Sequence, residues 1–162
     1  MAQNKYSDII KLQANSFAEA TKKNNFKEIV NLTYPKLVSL LGGKDTLTSI
    51  VSNNMVLLQR EGLQYKSIQF NEPQKVYTYQ KELHCLIPQK IIQSNSQGVI
   101  TRNTFLYAVS NNLGKSWFFM NETQFRKYKN KLFPQLNNEM VIPENNSTYT
   151  RNKKFSSFDK PN

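Results

Sequence analysis

The spacing of apolar side chains divides the chain into a helical first part and a strand-forming second part. Up to Glu61 apolar residues recur every three or four positions, which is the period of an amphipathic helix. Pro35 suits the first turn of a helix, and Gly62 ends the helical pattern. The predicted helices cover approximately residues 7–23, 26–32, 36–41 and 45–61.

Beyond Gly62 the pattern changes to an alternation of apolar and polar residues, which is the period of a β-strand. Strands are predicted over residues 63–70, 76–79 and 83–92, followed by a hairpin over 99–121. The apolar phase slips between Tyr65 and Ile68, which predicts a β-bulge. Pro88 places its strand at the edge of the sheet or at a second bulge, because proline cannot donate to a ladder.

A helix and a polar tail are predicted at the end of the chain. Thr123 is a candidate N-cap for a helix over residues 124–132. Residues 144–162 are polar, basic and rich in Asn and Ser, and they are interpreted as a flexible tail. Since the length of the chain fits one domain, residues 1–143 are assigned to that domain.

The hairpin is the predicted centre of the core. In its first strand Phe105, Tyr107 and Val109 share one face, while Leu106 and Ala108 share the other. Both faces are apolar, which is typical of a central strand covered on each side. The rest of the chain is therefore expected to pack around this strand.

The turn of the hairpin carries a recognisable short motif. Ser110, Asn112, Gly114 and Trp117 resemble the Asp-box, the S-x-D-x-G-x-[ST]-W hairpin of sialidase-type propellers, with Asn112 in place of the Asp. The resemblance implies a structural role, in which Asn112 ties the turn backbone and Trp117 packs beneath it. A propeller would repeat the motif in every blade, and the sequence contains one copy. The sequence therefore argues for a structural hairpin and against a sialidase.

One face of the predicted fourth helix carries an apolar stripe. Its members are Leu47, Ile50, Val51, Asn54, Met55 and Leu58. Such a stripe is typical of a helix that packs on a core, and it is interpreted as core rather than as a cofactor-binding surface. The preceding Gly42-Gly43-Lys44 is interpreted as a helix end and connector, because the remaining positions of a phosphate-binding loop are missing.

The order of elements predicts an α+β fold, with N-terminal helices packed on a curved antiparallel sheet and a late C-terminal helix. Five stretches within this order carry a family resemblance, at residues 26–30, 34–38, 42–44, 86–88 and 106–117. They resemble the nuclear transport factor 2-like superfamily, also called SnoaL-like or the cystatin-like cone. The similarity is greatest to small bacterial, often exported members without an assigned activity. It implies a cone-shaped domain and leaves the activity open, because this fold hosts enzymes and binders alike.

The net charge of +11 raises the hypothesis of nucleic-acid binding. The excess is spread thinly, and Lys greatly outnumbers Arg, the residue that recognises phosphates and base edges in a bidentate manner. Weak binding to polyanions is expected from Arg126, Lys127, Lys129, Lys131, Lys153 and Lys154. In the last helix Lys127 is predicted to point away from the face formed by Phe125, Tyr128 and Leu132. No specific nucleic-acid partner is expected.

Groups for catalysis or metal binding are sparse in the sequence. Asp occurs only as Asp8, Asp45 and Asp159, outside the predicted strands. His84 and Cys85 are adjacent in a strand, so their side chains leave opposite faces and form no dyad. A single histidine and scattered carboxylates do not give metal-ligand spacing. His84 is expected on the outer face and Cys85 as a buried thiol, with no catalytic residue, metal or cofactor.

Large side chains with flat faces or polar ends are the remaining candidates for a ligand site. The candidate pocket-lining residues are Tyr34, His84, Tyr107, Trp117 and Phe119. They favour a non-catalytic domain that binds a small apolar ligand or a protein partner, including a homodimer through the sheet. The alternative is an isomerase- or dehydratase-like enzyme that uses His84 or a pocket tyrosine on a small molecule inside the cone. Simple filling of the core by these residues is a third interpretation.

The cellular compartment stays open at this point. No run approaches the roughly 18 apolar residues of a membrane span, and the N-terminus lacks the apolar segment of a signal peptide. The first residues would also follow naturally after a removed signal peptide. Export to the periplasm or medium and a cytoplasmic location are both compatible with the sequence.

Overall fold

The computed structural model describes residues 4–136 and 140–152, and it confirms the α+β fold class. The helices in these ranges are α1 (Ser7–Lys22), α2 (Phe26–Asn31), α3 (Pro35–Leu40), α4 (Lys44–Arg60) and α5 (Glu122–Leu132). Their positions agree closely with the prediction, while one cap differs. Asn121 caps α5 in place of Thr123. Among the described residues no helix is long and apolar enough to cross a membrane.

Antiparallel strands form one curled sheet with the shape of a half-barrel. In the described part of the chain they are β1 (Gln64–Phe70), β2 (Tyr77–Tyr79), β3 (Glu82–Ser94), β4 (Gly98–Ser110), β5 (Phe118–Asn121) and β6 (Asn146–Arg151). The order is β1-β3-β4-β5, with β2 also paired to β3 and β6 also paired to β4. The long strands β3 and β4 pair from Leu83 and Ser110 to Ser94 and Val99. They form the central hairpin of the sheet.

The second half of β4 is covered on both faces, as its alternation predicted. Phe105, Tyr107 and Val109 are buried on one face, where α3 and α5 contribute to the same cluster. Leu106 and Ala108 are buried on the other face, in a cluster with α1 and Trp117 of the turn before β5. The core of the domain therefore has two layers, one on each side of β4.

The sequence predicted two irregularities of the sheet, a bulge in β1 and an edge strand or second bulge at Pro88. The β1–β3 register shifts between Tyr65 and Ser67, which confirms the bulge. Pro88 lies in an interior strand, since β3 has β4 on one side and β1 and β2 on the other. The Pro88 carbonyl accepts a hydrogen bond from Asn71 in the loop that separates β1 from β2. Because N and C=O of a strand residue point to the same side, the nitrogen of Pro88 that lacks a hydrogen faces this loop, and the pairing with β4 loses no bond.

Residues 146–151 form β6, in place of the flexible tail expected from residue 144 on. The strand pairs with the first half of β4, from Asn146 and Asn103 to Arg151 and Gly98. All its side chains are exposed. It therefore lacks the apolar alternation that reveals a strand in a sequence. The rest of the expected tail, residues 153–162, lies outside the described residues.

The turn between β4 and β5 is closed by the side chains of the Asp-box-like motif. Ser110 Oγ accepts a hydrogen bond from the Gly114 N–H at 2.9 Å, and Asn112 Oδ1 accepts one from the Ser116 N–H at 3.0 Å. Asn112 Nδ2 donates to Ser116 Oγ at 2.8 Å. Below the turn, the indole N–H of Trp117 donates to the Gly114 carbonyl at 3.2 Å. Asn112 thus ties the turn backbone as an Asp would.

The substitution Gly114→Ala is expected to lower the free energy of unfolding by about 2 kcal/mol. Gly114 has a φ of +84°, and an added Cβ would overlap the ring of Tyr6. The control is Gly62→Ala, because Gly62 has a φ of +71° and the nearest atom to an added Cβ is Asn95 Cβ at 3.9 Å, an ordinary contact distance. The control carries only the backbone cost, about 1 kcal/mol. Urea denaturation measures both, and equal losses would contradict the close approach of Tyr6.

Candidate functional site

The five candidate pocket residues lie in the packed core. Tyr34, His84, Tyr107, Trp117 and Phe119 are each at most 1% exposed. Trp117 and Phe119 pack with α1, while Tyr34 and Tyr107 pack with α3, α5 and Phe133. The ring of His84 lies 4.9 Å from that of Phe133. The expectation of an outward-facing His84 is therefore wrong, because a loop after α5 covers that face of β3.

Polar side chains around His84 and Tyr107 form a connected cluster in the core. The Tyr34 hydroxyl donates to Glu82 Oε2 at 2.7 Å, and Lys36 Nζ lies 3.2 Å from Glu82 Oε1. His84 Nδ1 lies 2.9 Å from the Tyr107 hydroxyl. His84 Nε2 is 3.8 Å from Glu82 Oε2 and makes no hydrogen bond with a described residue. We call Tyr34, Lys36, Glu82, His84 and Tyr107 the Glu82 cluster.

Burial changes the pKa of three members of the Glu82 cluster, His84, Tyr34 and Tyr107. It lowers the pKa of His84 to about 4, against the opposing attraction of the Glu82 carboxylate. It also raises the pKa of both Tyr34 and Tyr107, and the hydrogen bond to Glu82 adds to the increase for Tyr34. His84 and both tyrosines are therefore neutral at pH 7. On the opposite face of β3, burial raises the pKa of the Cys85 thiol to about 12, so it is also neutral.

A cavity of about 500 Å³ lies between α4 and the sheet, on the side of the sheet that α1 covers. This volume is in the range of small-molecule sites. Residues of α1, α2 and α4 form the helical wall, residues of β1 and β3 form the sheet wall, and α5 borders the opening. The apolar lining includes Leu47, Val51, Met55, Ile68, Phe70 and Ile91.

The apolar stripe of α4 faces this cavity. All six stripe residues named from the sequence line it. Leu47 and Val51 pack with the cluster of Val30 and Val38, and Met55 is also buried. The interpretation of the stripe as core therefore holds for these three residues, while the stripe as a whole also faces the cavity. Helical spacing shows which face of a helix turns inward, and it does not show whether other side chains fill the space there.

The polar part of the lining lies mainly at the mouth. The lining residues that are also exposed are Ile50, Asn54, Asn121, Thr123 and Lys127. Together with the half-buried Gln124 beside them, we call them the mouth. Gln89 is different, since it lies in β3 on the inner wall and is 8% exposed. Burial raises the pKa of Tyr65, another wall residue, so its phenol stays protonated at pH 7. The cavity is thus apolar inside, with one buried amide and a polar opening.

Helix α5 has two inner faces, where the sequence indicated one. Phe125 is buried in the core, whereas Gln124, Lys127 and Tyr128 line the cavity. Lys127 is exposed, as predicted for an outer face, and it also borders the opening of the cavity. Asn121 and Gln124 were missed as site residues. Their signal in the sequence is the N-x-x-Q spacing of a capping box directly after a strand.

The described lining offers apolar surface and few titratable side chains. No described residue that lines the cavity is Asp, Glu, His or Cys, and Lys127 is the only charged one. Within the described ranges no group of three or more His, Cys, Asp and Glu side chains is placed to hold a metal ion. The cavity can take an apolar molecule out of water and offer hydrogen bonds at its opening.

Comparisons with family models, with curated proteins and with solved structures find no match to this chain. Its function is therefore inferred from the cavity and the side chains that line it.

Proposed function

We propose that this chain is a non-catalytic domain that binds a small apolar molecule in the cavity beside α4. The observation that carries the proposal is the cavity of about 500 Å³ with its largely apolar wall. We also propose that the domain belongs to the nuclear transport factor 2-like superfamily. The curled antiparallel sheet behind N-terminal helices supports this assignment, because it is the fold that the resemblance implies.

The apolar wall provides the driving force for binding. Each methylene group that a ligand buries contributes about 0.8 kcal/mol. A ligand that buries about ten of them gains about 8 kcal/mol, which is similar to the cost of association, about 4–15 kcal/mol. A molecule that fills the cavity is therefore favoured over a small fragment.

The alternative of an isomerase- or dehydratase-like enzyme has less support. Its candidate groups are His84 and the tyrosines of the Glu82 cluster, which are buried and do not line the cavity. A general acid or base must come within hydrogen-bond reach of its substrate. A molecule inside the cavity meets Tyr65, Tyr128 and Lys127 as its titratable neighbours, and none of these forms a pair with a carboxylate or imidazole of the wall.

A homodimer through the sheet is a weaker proposal than ligand binding. Both faces of the second half of β4 are already covered within one chain. The apolar surface that suggested the dimer in the sequence is therefore used for folding.

Filling the cavity is expected to weaken ligand binding at least tenfold. The test compares two double variants of α4, Val51→Trp with Leu58→Trp, and Val56→Trp with Leu57→Trp. Val51 and Leu58 line the cavity, whereas Val56 and Leu57 do not and are 40% and 56% exposed. Each variant adds two indoles to the same helix at one Val and one Leu. Fluorescence titration with N-phenyl-1-naphthylamine, a neutral apolar probe, measures the dissociation constant.

The wild type and the second variant are expected to bind the probe alike. Equal binding by both variants would place the probe elsewhere and contradict the proposal. Absence of binding to the wild type would contradict it as well. Circular dichroism and urea denaturation establish that both variants are folded before the titration.

A further inference from the structure

The capping box of α5 leaves two amide donors at the mouth of the cavity. The Gln124 N–H donates to Asn121 Oδ1 at 2.8 Å, and the Asn121 N–H donates to Gln124 Oε1 at 3.0 Å. Both side-chain oxygens are thereby used as acceptors of backbone bonds. The polar atoms that these two side chains can offer to a ligand are therefore their NH₂ groups.

The only charge in the described lining adds to these donors. Gln124 and Lys127 are three residues apart and therefore neighbours on the surface of α5, and Asn121 is the N-cap of the same helix. All three line the cavity. No carboxylate of the described residues lines the cavity. The nearest one in α5, Glu122, is already paired with Arg126 at 3.2 Å and accepts a hydrogen bond from Asn145. The mouth thus has two amide donors and a cation on one side, without a competing anion.

A second, independent feature lies inside the cavity. Gln89 is 92% buried, lines the wall, and its side-chain amide makes no hydrogen bond with a described residue. Its amide atoms are not fully buried, so they are open to the cavity and can bond to a ligand there. Gln89 in β3 and Asn121 in β5 are separated by β4, which corresponds to about 10 Å between their strands. A ligand that hydrogen-bonds both to the Gln89 amide and to the donors at the mouth needs polar atoms at one end and within its body.

We propose that the ligand is an amphipathic carboxylate, with an apolar body that carries a hydrogen-bonding oxygen. The carboxylate lies at the mouth, where the NH₂ groups of Asn121 and Gln124 donate to it and Lys127 supplies the opposite charge. The apolar body lies along α4, and its oxygen accepts from the amide of Gln89. This inference rests on the proposed function, since it names the class of molecule that fills the same cavity.

The headgroup is tested by displacement of N-phenyl-1-naphthylamine with three probes of equal chain length. Decanoate is expected to bind at least tenfold more tightly than decanol, and decyltrimethylammonium more weakly than decanol. Each methylene removed from the acid is expected to weaken binding about fourfold. Equal affinities of acid and alcohol would overturn the assignment of the headgroup.

The variant Gln124→Glu tests the mouth without disturbing the helix. Glutamate keeps the oxygen that the capping box uses, while it replaces the NH₂ donor by a second carboxylate oxygen. The affinity for decanoate is expected to fall at least tenfold, and that for decanol is expected to stay unchanged. Lys127→Met is expected to act in the same sense, whereas Lys131→Met, an exposed control in α5 that does not line the cavity, is expected to have no effect. Unchanged decanoate binding in Gln124→Glu and Lys127→Met would overturn the proposal.

The buried amide is tested with hydroxydecanoates that carry the hydroxyl at carbon 6, 8 or 10. At least one isomer is expected to bind the wild type more tightly than decanoate and to lose this advantage in Gln89→Leu. If no isomer does so, the oxygen in the ligand body is excluded. Failure of the proposed function has a different signature, because the neutral probe itself would then not bind in the cavity.

Discussion

Replacing Trp117 with alanine is expected to lower the free energy of unfolding by about 3–5 kcal/mol. The side chain is 1% exposed and packs in the cluster between α1 and the sheet. Its ring meets Tyr6 edge-on at 5.7 Å, and its indole N–H donates to the Gly114 carbonyl at 3.2 Å. Alanine would leave a large cavity and an open turn at the same place. Urea denaturation followed by circular dichroism measures the loss.

Two controls separate packing from hydrogen bonding in this hairpin. Trp117→Phe keeps an aromatic ring and removes the indole N–H, so a loss of about 1–2 kcal/mol is expected. Leu113→Ala changes a side chain of the same turn that is 77% exposed, and its effect is expected within about 0.5 kcal/mol. A Trp117→Ala protein as stable as the Leu113→Ala protein would show that the hairpin is not the anchor of this core layer.

Lowering the pH from 7 to 4 is expected to remove about 3 kcal/mol of stability through His84 alone. In the unfolded chain the imidazole takes up a proton near pH 6.5, whereas in the folded chain burial lowers its pKa to about 4. Between these values the unfolded state binds more protons. The stabilisation is therefore fully present above pH 6.5 and is lost as the pH falls through this window, with a slope of up to about 1.4 kcal/mol per pH unit.

The variant His84→Gln isolates this contribution, because His84 is the only histidine of the chain. The variant also loses the contact with the Tyr107 hydroxyl, which lowers its stability by the same amount at each pH above 5. The readout is therefore the slope of the unfolding free energy against pH, not the unfolding free energy itself. Between pH 6.5 and 5 the wild type is expected to lose stability more steeply than the variant. Parallel curves, or an imidazole that titrates near pH 6.5 in the folded protein by NMR, would contradict a buried neutral His84.

The Glu82 cluster and the cavity show why large aromatic residues were poor markers of the site. Tyr107 and Trp117 have the flat faces and polar ends that pockets use, yet a core needs the same bulky side chains to exclude water. The cavity lining combines aromatic residues such as Tyr65 and Tyr128 with aliphatic ones such as Val51, and each looks like an ordinary core residue. Residue type separates buried from exposed positions, but it does not separate a filled space from an empty one.

The sequence by itself determined the secondary structure and the main hairpin. The helical period up to Glu61 and the alternation after Gly62 depend on neighbours within a few residues, and so does the turn that Asn112 closes. The two apolar faces of β4 also follow from alternation alone, which is why the fold class was predicted correctly. These features arise from local backbone preference and from the need to bury one or both faces of an element.

Only the tertiary structure decided the gap beside α4, the interior position of Pro88, the burial of His84 and the pairing of β6 with β4. Each depends on where a distant segment lies. Helix α4 packs on α2 and α3 at a distance from the sheet, the loop between β1 and β2 lies beside Pro88, and Phe133 covers His84. Backbone pairing holds β6, whose exposed side chains leave no pattern. Such outcomes are set by the distances between whole elements, and the period of apolar residues within one element carries no information about them.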